Sequence, residues 1–573
     1  MRRTQLSTVS RNAGRARTGV IAASMLAIVR RMILVLLLAG LASTARAHDQ
    51  AEHQRGELNL ERVGKVAFPV SCRPDQQKKF EQAVAVLHSF WYEESERLFR
   101  EILEADPSCA IALWGVAMSL YHPLWQPPDP AALKLGAEAV AQATRIGART
   151  ERERDYVAAI GRFYADADKR DHATRAGDYM EAMRGLSAKY PADSEAAVFY
   201  ALALLGTASP TDQSYTNQKI AGPILERIFE TQPDHPGVAH YLIHSYDNAV
   251  MAPQAIAAAR HYSRIAPLVP HVQHMPSHIF TRLGLWEDSV QSNLASAKAS
   301  KLYEEKNQPG EVYYEYLHAL DYLEYAYLQL GQFAKAADVV KEAASIARVK
   351  PEAFQAAFAF ATIPARFALE QRRWADAARL EFRSAGIPLE RFAIAHAEYS
   401  FGRGLGAARS GQLEVARAEL EILRGLHARM VAGRDPWAVQ VEAERLGVAA
   451  WVAHAEGNPA EAEKLLRQAA DLEDSAEKHP VTPGELLPAR EMLGELLLEL
   501  KRPQDALKEY VVSLRTSPNR MNGYLGAAQA AIAAGDEQGA RLYYRRLLDL
   551  AKHADARPEL DQARAYLEKT GGR

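Results

Sequence analysis

A spacing of 34 residues recurs along the chain and constrains its fold more than any other feature. Ala221, Ala255 and Ser289 stand 34 apart, as do Pro233 and Pro267, and near the C-terminus Ala506 pairs with Ala540 and Tyr510 with Tyr544 at the same interval. Between these marks, apolar residues recur at helical spacing in segments of about 12–16 residues rich in Ala, Leu, Glu and Arg, with no stretch alternating at period two. The body is therefore expected to be all-α. A length of 573 residues would allow about three compact domains or one continuous array. The period favours the array, because one helix pair cannot bury its apolar face alone whereas stacked pairs share a continuous core.

Several segments carry a small residue, a large one four later and a proline eight beyond that. Ser95, Phe99 and Pro107 form one such set; Ala506, Tyr510 and Pro518 form another, with Gly494 upstream. Gly331 with Ala336, and Ser410 with Ala416, mark further units. In this the chain resembles the tetratricopeptide repeat (TPR) family over roughly residues 76–560, with degenerate stretches near 123–190 and 346–480, and with Ala83 and Ala117 where the pattern has glycine. The resemblance implies an α-solenoid, a right-handed superhelix of helix pairs whose first helices line a concave groove. It points to an exported bacterial-type TPR protein with a His-rich concave face, and implies a peptide, protein or small polar molecule as the groove's ligand.

Placed on the repeat register, the groove-facing stripe is rich in histidine. His240, His244 and Asp247 fall on one inner helix, His271, His274 and His278 on the next, and His318 and Asp321 on a third. His240 and His274 are 34 apart, as are His244 and His278, so equivalent sites on adjacent helices are both imidazole. An i,i+4 histidine pair stacks on one helix face and can share one metal ion, and imidazole suits Zn, Cu or Fe. The set His240, His244, His274, His278, His318 and Asp321 exceeds one ion's ligands and suits two metals, or one with outer partners. A polar ligand-binding wall and buried structural histidines are the other readings. Trp114, Met118 and His122 fall on an earlier inner helix and read as a groove floor for a ligand alongside Asp247 and His271, or, for Trp114, as core packing.

The first 47 residues differ from the rest: eight arginines, no acid, an apolar run at 32–42, and Ala45-Arg46-Ala47 as a small-x-small cleavage pattern. They read as a signal peptide, placing the protein in the periplasm or outside the cell, where Cys72 and Cys109, the only two cysteines, are expected to form a disulfide. The remaining chain divides into an N-terminal segment (48–75), an array with the His-rich groove (76–345) and a C-terminal array (346–573). With 69 basic and 71 acidic residues and no basic block beyond the N-terminus, nucleic acid is not an expected partner. No phosphate-binding loop, HExxH, CxxCH or GxSxG is present, so no motif names a reaction. Two functions remain: a scaffold binding a ligand in its groove, or a metal-binding protein or metal-dependent enzyme built on the histidines and aspartates.

Overall fold

The structure, a computed structural model, describes residues 62–124, 127–209, 211–383 and 385–571; the expected signal segment at 1–47 lies outside them. The described chain is an all-α solenoid of antiparallel helix pairs. These run α1 (Gln77–His88) with α2 (Tyr92–Ala105), α3 (Ala110–Ser119) with α4 (Pro130–Ile146), α5 (Glu151–Tyr164) with α6 (His172–Lys189), and α7 (Ser194–Gly206) with α8 (Thr216–Thr231). Next come α9 (Pro236–Tyr246) with α10 (Ile256–Ile265), the broken inner helix α11 (Pro270–His274) and α12 (Pro276–Arg282) against α13 (Trp286–Asn307), and α14 (Tyr314–Gln329) with α15 (Phe333–Ser345). The second half holds α16 (Phe354–Glu370) and α17 (Trp374–Ala377), α18 (Ala393–Arg409) and α19 (Leu413–Gly433), and α20 (Ala438–Ala455) and α21 (Pro459–Glu473). It closes with α22 (Ala489–Glu499) and α23 (Pro503–Thr516), α24 (Met521–Ala534) and α25 (Glu537–Leu550), and a final α26 (Pro558–Gly571). A parallel pair of two-residue strands, Val312–Tyr313 and Val349–Lys350, ties the start of α14 to the start of α16.

The 34-residue interval holds from the start of α9 to the start of α11, at Pro236 and Pro270. It recurs between the outer helices α23 and α25, at Pro503 and Glu537, whereas the pairs over 110–235 and 270–488 are longer, with α13 extending to 22 residues. That lengthening is why the repeats near 123–190 and 346–480 read as degenerate, although apart from α17, a helix of four residues, their helices are long and paired. Small residues let the pairs approach: a Cβ on Gly494 or Gly526 would fall 2.7 or 2.3 Å from the Tyr510 ring, which fills the space the two glycines leave. Inner-to-outer turns need a left-handed residue, supplied by Gly331, Gly411, Gly457 and Gly535 and, at dearer positions, by Phe90 (φ 55°) and His122 (φ 47°).

A simple solenoid contacts only its neighbours along the chain. Here the array returns on itself. Trp286 Nε1 donates to Asn519 O at 2.7 Å, Met521 N donates to Gln329 Oε1 at 3.1 Å, and Asp555 N donates to Gly331 O at 3.0 Å. The segment between α21 and α22 lies against the middle of the array: the Tyr322 hydroxyl donates to Pro480 O and Thr482 O, Tyr215 pairs with Glu477, and Glu477 lies 3.0 Å from Arg282. The stretch from His479 thus covers part of the groove. Among the described residues no helix is long and apolar enough to cross a membrane.

The sulfurs of Cys72 and Cys109 lie within bonding distance, with Cα atoms 4.8 Å apart and a sequence separation of 37. Closing a loop of that size removes denatured-state freedom, so Cys109→Ser is expected to cost about 2–4 kcal/mol. Mass spectrometry of alkylated, unreduced protein checks the bond, and urea unfolding of the variant checks its worth.

Candidate metal centre

Helices α9, α11, α12 and α14 lie side by side and turn six imidazoles into the interior. His240 and His244 project from α9, His271 and His274 from α11, His278 from α12 and His318 from α14. Pro276, which lacks an N–H, separates α11 from α12. The break does not disturb the i,i+4 relation: His274 Nε2 and His278 Nε2 stand 3.0 Å apart, as do His240 Nε2 and His244 Nε2.

The imidazoles form two triads, His240–His244–His271 and His274–His278–His318, each with one ring nitrogen per residue within 4.8 Å of the others. They adjoin, with ring centroids 6.0 Å apart for His244 and His278 and 6.3 Å for His271 and His274. One aromatic ring packs against all three members of each. Phe90 lies 4.4 Å from His240 and 5.8 Å from both His244 and His271; Tyr322 lies 4.6 Å from His274 and 5.4 Å from both His278 and His318.

For His278, His274 and His240 the hydrogen bonds at the far side of the ring fix where the protons sit. His278 Nδ1 is 2.9 Å from Asp247 Oδ2. Although burial works against its ionisation, Lys478 and Arg282 hold the Asp247 carboxyl well below the usual range, so it only accepts and His278 Nδ1 carries the hydrogen. His274 Nδ1 is 2.7 Å from Asn293 Oδ1, and the Asn293 amide nitrogen donates to Ser289 O, which leaves that oxygen as acceptor. In the neutral rings both Nε2 atoms therefore carry lone pairs, directed at each other across 3.0 Å. In the other triad His240 Nδ1 donates to His88 O at 2.7 Å, so the Nε2 facing His244 is again a lone pair.

Burial, reinforced by neighbouring imidazoles, holds His240, His244 and His274 well below the ordinary histidine range. His278 is lowered by burial, which outweighs the opposing pull of Asp247, and burial takes His318 down to about 3. These five rings are neutral near pH 7, the state in which imidazole ligates metals. Two lone pairs at 3.0 Å without a proton between them repel, and a cation shared between them removes the repulsion. An outer N–H donated to a carboxylate, carbonyl or amide oxygen is also the usual arrangement around a metal-bound histidine.

Two further groupings have the right residue types and a different bonding balance. Glu195 sits between His88 Nε2 (2.8 Å) and His235 Nε2 (2.7 Å), while His88 Nδ1 meets the Tyr241 hydroxyl and His235 Nδ1 accepts from Val238 N. Every nitrogen there has a partner, and no cation is needed. Cys72 and Cys109, grouped with Asp106, have each other.

Asp247, His271 and Asp321 take places different from those expected. Asp247 reaches His278 and Arg282 and acts from outside the ring of nitrogens. His271, expected as a groove contact, belongs to the first triad. Asp321 points toward α16, where its Oδ1 accepts from Arg366 at 2.7 Å and from Thr362 at 2.8 Å; it joins neither triad, because these two donors hold its carboxylate. Trp114 and Met118 are core residues rather than groove floor. Trp114 is 1% exposed and packs on Phe68, Tyr156 and Phe199, and Met118 lies against the Tyr179 hydroxyl. Trp114→Ala is therefore expected to destabilise the fold by about 3–5 kcal/mol and leave metal content per folded chain unchanged, read by urea unfolding and elemental analysis. His122 lines a cavity beside the first triad, stacked on Tyr92 at 4.1 Å. Asn293, Phe90, Tyr322 and Glu315 carried no signal in the sequence; each reaches the site from an outer helix, a turn or the flank of α14.

The fold and this interior define a TPR-like helical-repeat protein with histidine triads at its centre. No family model matches the chain, and no curated protein matches it. Solved structures with a related shape include the human IFIT1 dimer with m7Gppp-AAAA, at 13% identity and a TM-score of 0.37, over 77% of this chain and 90% of that one. The APC/C hetero-tetramer Cut9–Hcn1 aligns at 11% identity and a TM-score of 0.32, over 86% of this chain and 89% of that one. These values describe a likeness between runs of helices, and the site stands on its own residues.

Proposed function

We propose that this repeat scaffold binds transition-metal ions as its ligand, one in each histidine triad. The observation that supports this most strongly is the His274–His278 pair, whose two lone pairs face each other at 3.0 Å with both outer N–H groups engaged. An all-imidazole donor set suits Zn, Cu or Fe, and three protein ligands leave a fourth position for water or substrate. Adjoining triads suit a two-metal centre, in which each ion would hold one end of a substrate or both would share it. Export belongs to the same proposal; it is supported by the 1–47 segment and by the cysteine pair at disulfide distance.

Protein reconstituted separately with Zn, Cu and Fe, desalted and analysed by ICP mass spectrometry, tests the reading. Binding of two ions per chain by at least one of these metals is expected. Less than a tenth of an equivalent of all three would overturn it.

A further inference from the structure

A cavity of about 180 Å³ opens beside the first triad, with His271 in its wall. Its charged lining is acidic: Glu93 at the exposed mouth, Glu315 buried within, and Glu352, which Arg391 already neutralises at 2.5 Å. No Lys or Arg lines it among the described residues. Glu315 Oε1 lies 3.3 Å from His271 Nδ1, so the same carboxylate faces the cavity and backs a member of the triad.

Acidic residues alone define no ligand. Gln355 supplies the independent observation: it is 8% exposed, it lines the cavity, and its Oε1 meets no donor in the described residues. A buried acceptor left unpaired is costly, and an N–H from a ligand would satisfy it. The other walls are aromatic, from Phe90, Tyr92 and Tyr314, with His122 stacked on Tyr92. Carboxylates, an orphan acceptor and ring faces together favour a group that is cationic, donates several hydrogen bonds and has an apolar body. An anion would be repelled, and a bare metal ion would leave the ring faces unused.

We propose that this cavity binds the protonated amine, an ammonium or guanidinium group, of a small organic ligand, and so holds that ligand's remaining atoms toward the His240–His244–His271 triad. Occupancy of the cavity stands on its own lining; only the direction of presentation rests on the metal reading.

Isothermal titration of the full-length protein, as purified and after chelation, with benzylamine and agmatine tests this against the neutral benzyl alcohol and the anionic benzoate. The amines should bind at least tenfold tighter than the alcohol, and benzoate should not bind. Glu93→Gln and Gln355→Leu should each weaken amine binding about fivefold or more without changing the metal content. Glu93 is exposed, so that variant keeps the fold even if Gln355→Leu does not. Equal binding of amine and alcohol, tighter binding of benzoate, or unchanged amine affinity in Glu93→Gln would overturn the proposal. So would saturation of the cavity by Zn²⁺ in a His240→Ala/His244→Ala variant with loss of amine binding, which would make it an entry path for the metal. Amine binding that survives chelation, in a chain that fails to take up metal, would sink the metal reading and leave this one standing.

Discussion

Replacing His274 and His278 together by alanine is expected to reduce bound metal from two ions per chain to one. The two side chains supply two of the three nitrogens of one triad, and His318 alone cannot retain an ion. The lost ion would have linked α11 and α12 to α14, so the melting temperature gained on metal addition should fall as well. A ligand present at a hundred times its dissociation constant stabilises the folded state by about 2.7 kcal/mol, and the variant forfeits that share for the emptied site. Asp247→Asn is the graded companion: it keeps the shape beside His278 and removes the carboxylate that receives its N–H, for an expected loss of about 10–100-fold in affinity. His235→Gln is the control, since the His88–Glu195–His235 network balances its own protons and should not change metal content. Elemental analysis and metal-dependent melting read all three.

The second large effect lies in the contacts that fold the array back on itself. Arg520 is fully buried, donating to Glu491 at 2.6 Å, to Glu370 at 2.6 Å and to the Tyr325 hydroxyl at 2.8 Å. Those partners come from α22, the end of α16 and α14, up to 195 residues away in sequence. Arg520→Met removes the cation and leaves two carboxylates in the interior, an expected cost of about 3–5 kcal/mol. Removing both acids along with the arginine should recover much of that loss, because the penalty comes from unpaired charge more than from the missing contact. Urea unfolding measures both variants. Hydrogen exchange should show faster opening of α14 and α24 in Arg520→Met, because the guanidinium is where these helices meet. Arg366 is the neighbouring case, buried between Asp321 and Glu324 on α14.

Helix pairs and the histidine stripe were legible in the sequence because both depend on local period. A residue on the groove-facing stripe of an inner helix is set by local period, which is why His240, His244, His274 and His278 could be aligned from spacing alone. Asp321 shows where the method stops: the register placed it on the stripe, yet Arg366, from the next pair, takes the carboxylate. Trp114 shares the inner-helix position of the histidines, but the segment around Phe68 crosses in front of it and makes it core. The return of α22–α26 onto the middle of the array left no trace in the period, since Trp286 with Asn519 and Tyr325 with Arg520 are contacts between parts far apart in sequence. The protons could not be read either. That His274 and His278 present lone pairs follows only once Asn293 and Asp247 are seen behind them.

The most direct test of the account is the position of the metal. Crystals of the reconstituted full-length protein, measured at and below the absorption edge of the bound element, should show one anomalous peak within each triad. In the second triad it should lie about 2.0–2.1 Å from His274 Nε2 and His278 Nε2, with His318 completing the set. Fully loaded crystals with no peak between those two nitrogens, or with the metal held only at surface residues, would contradict it.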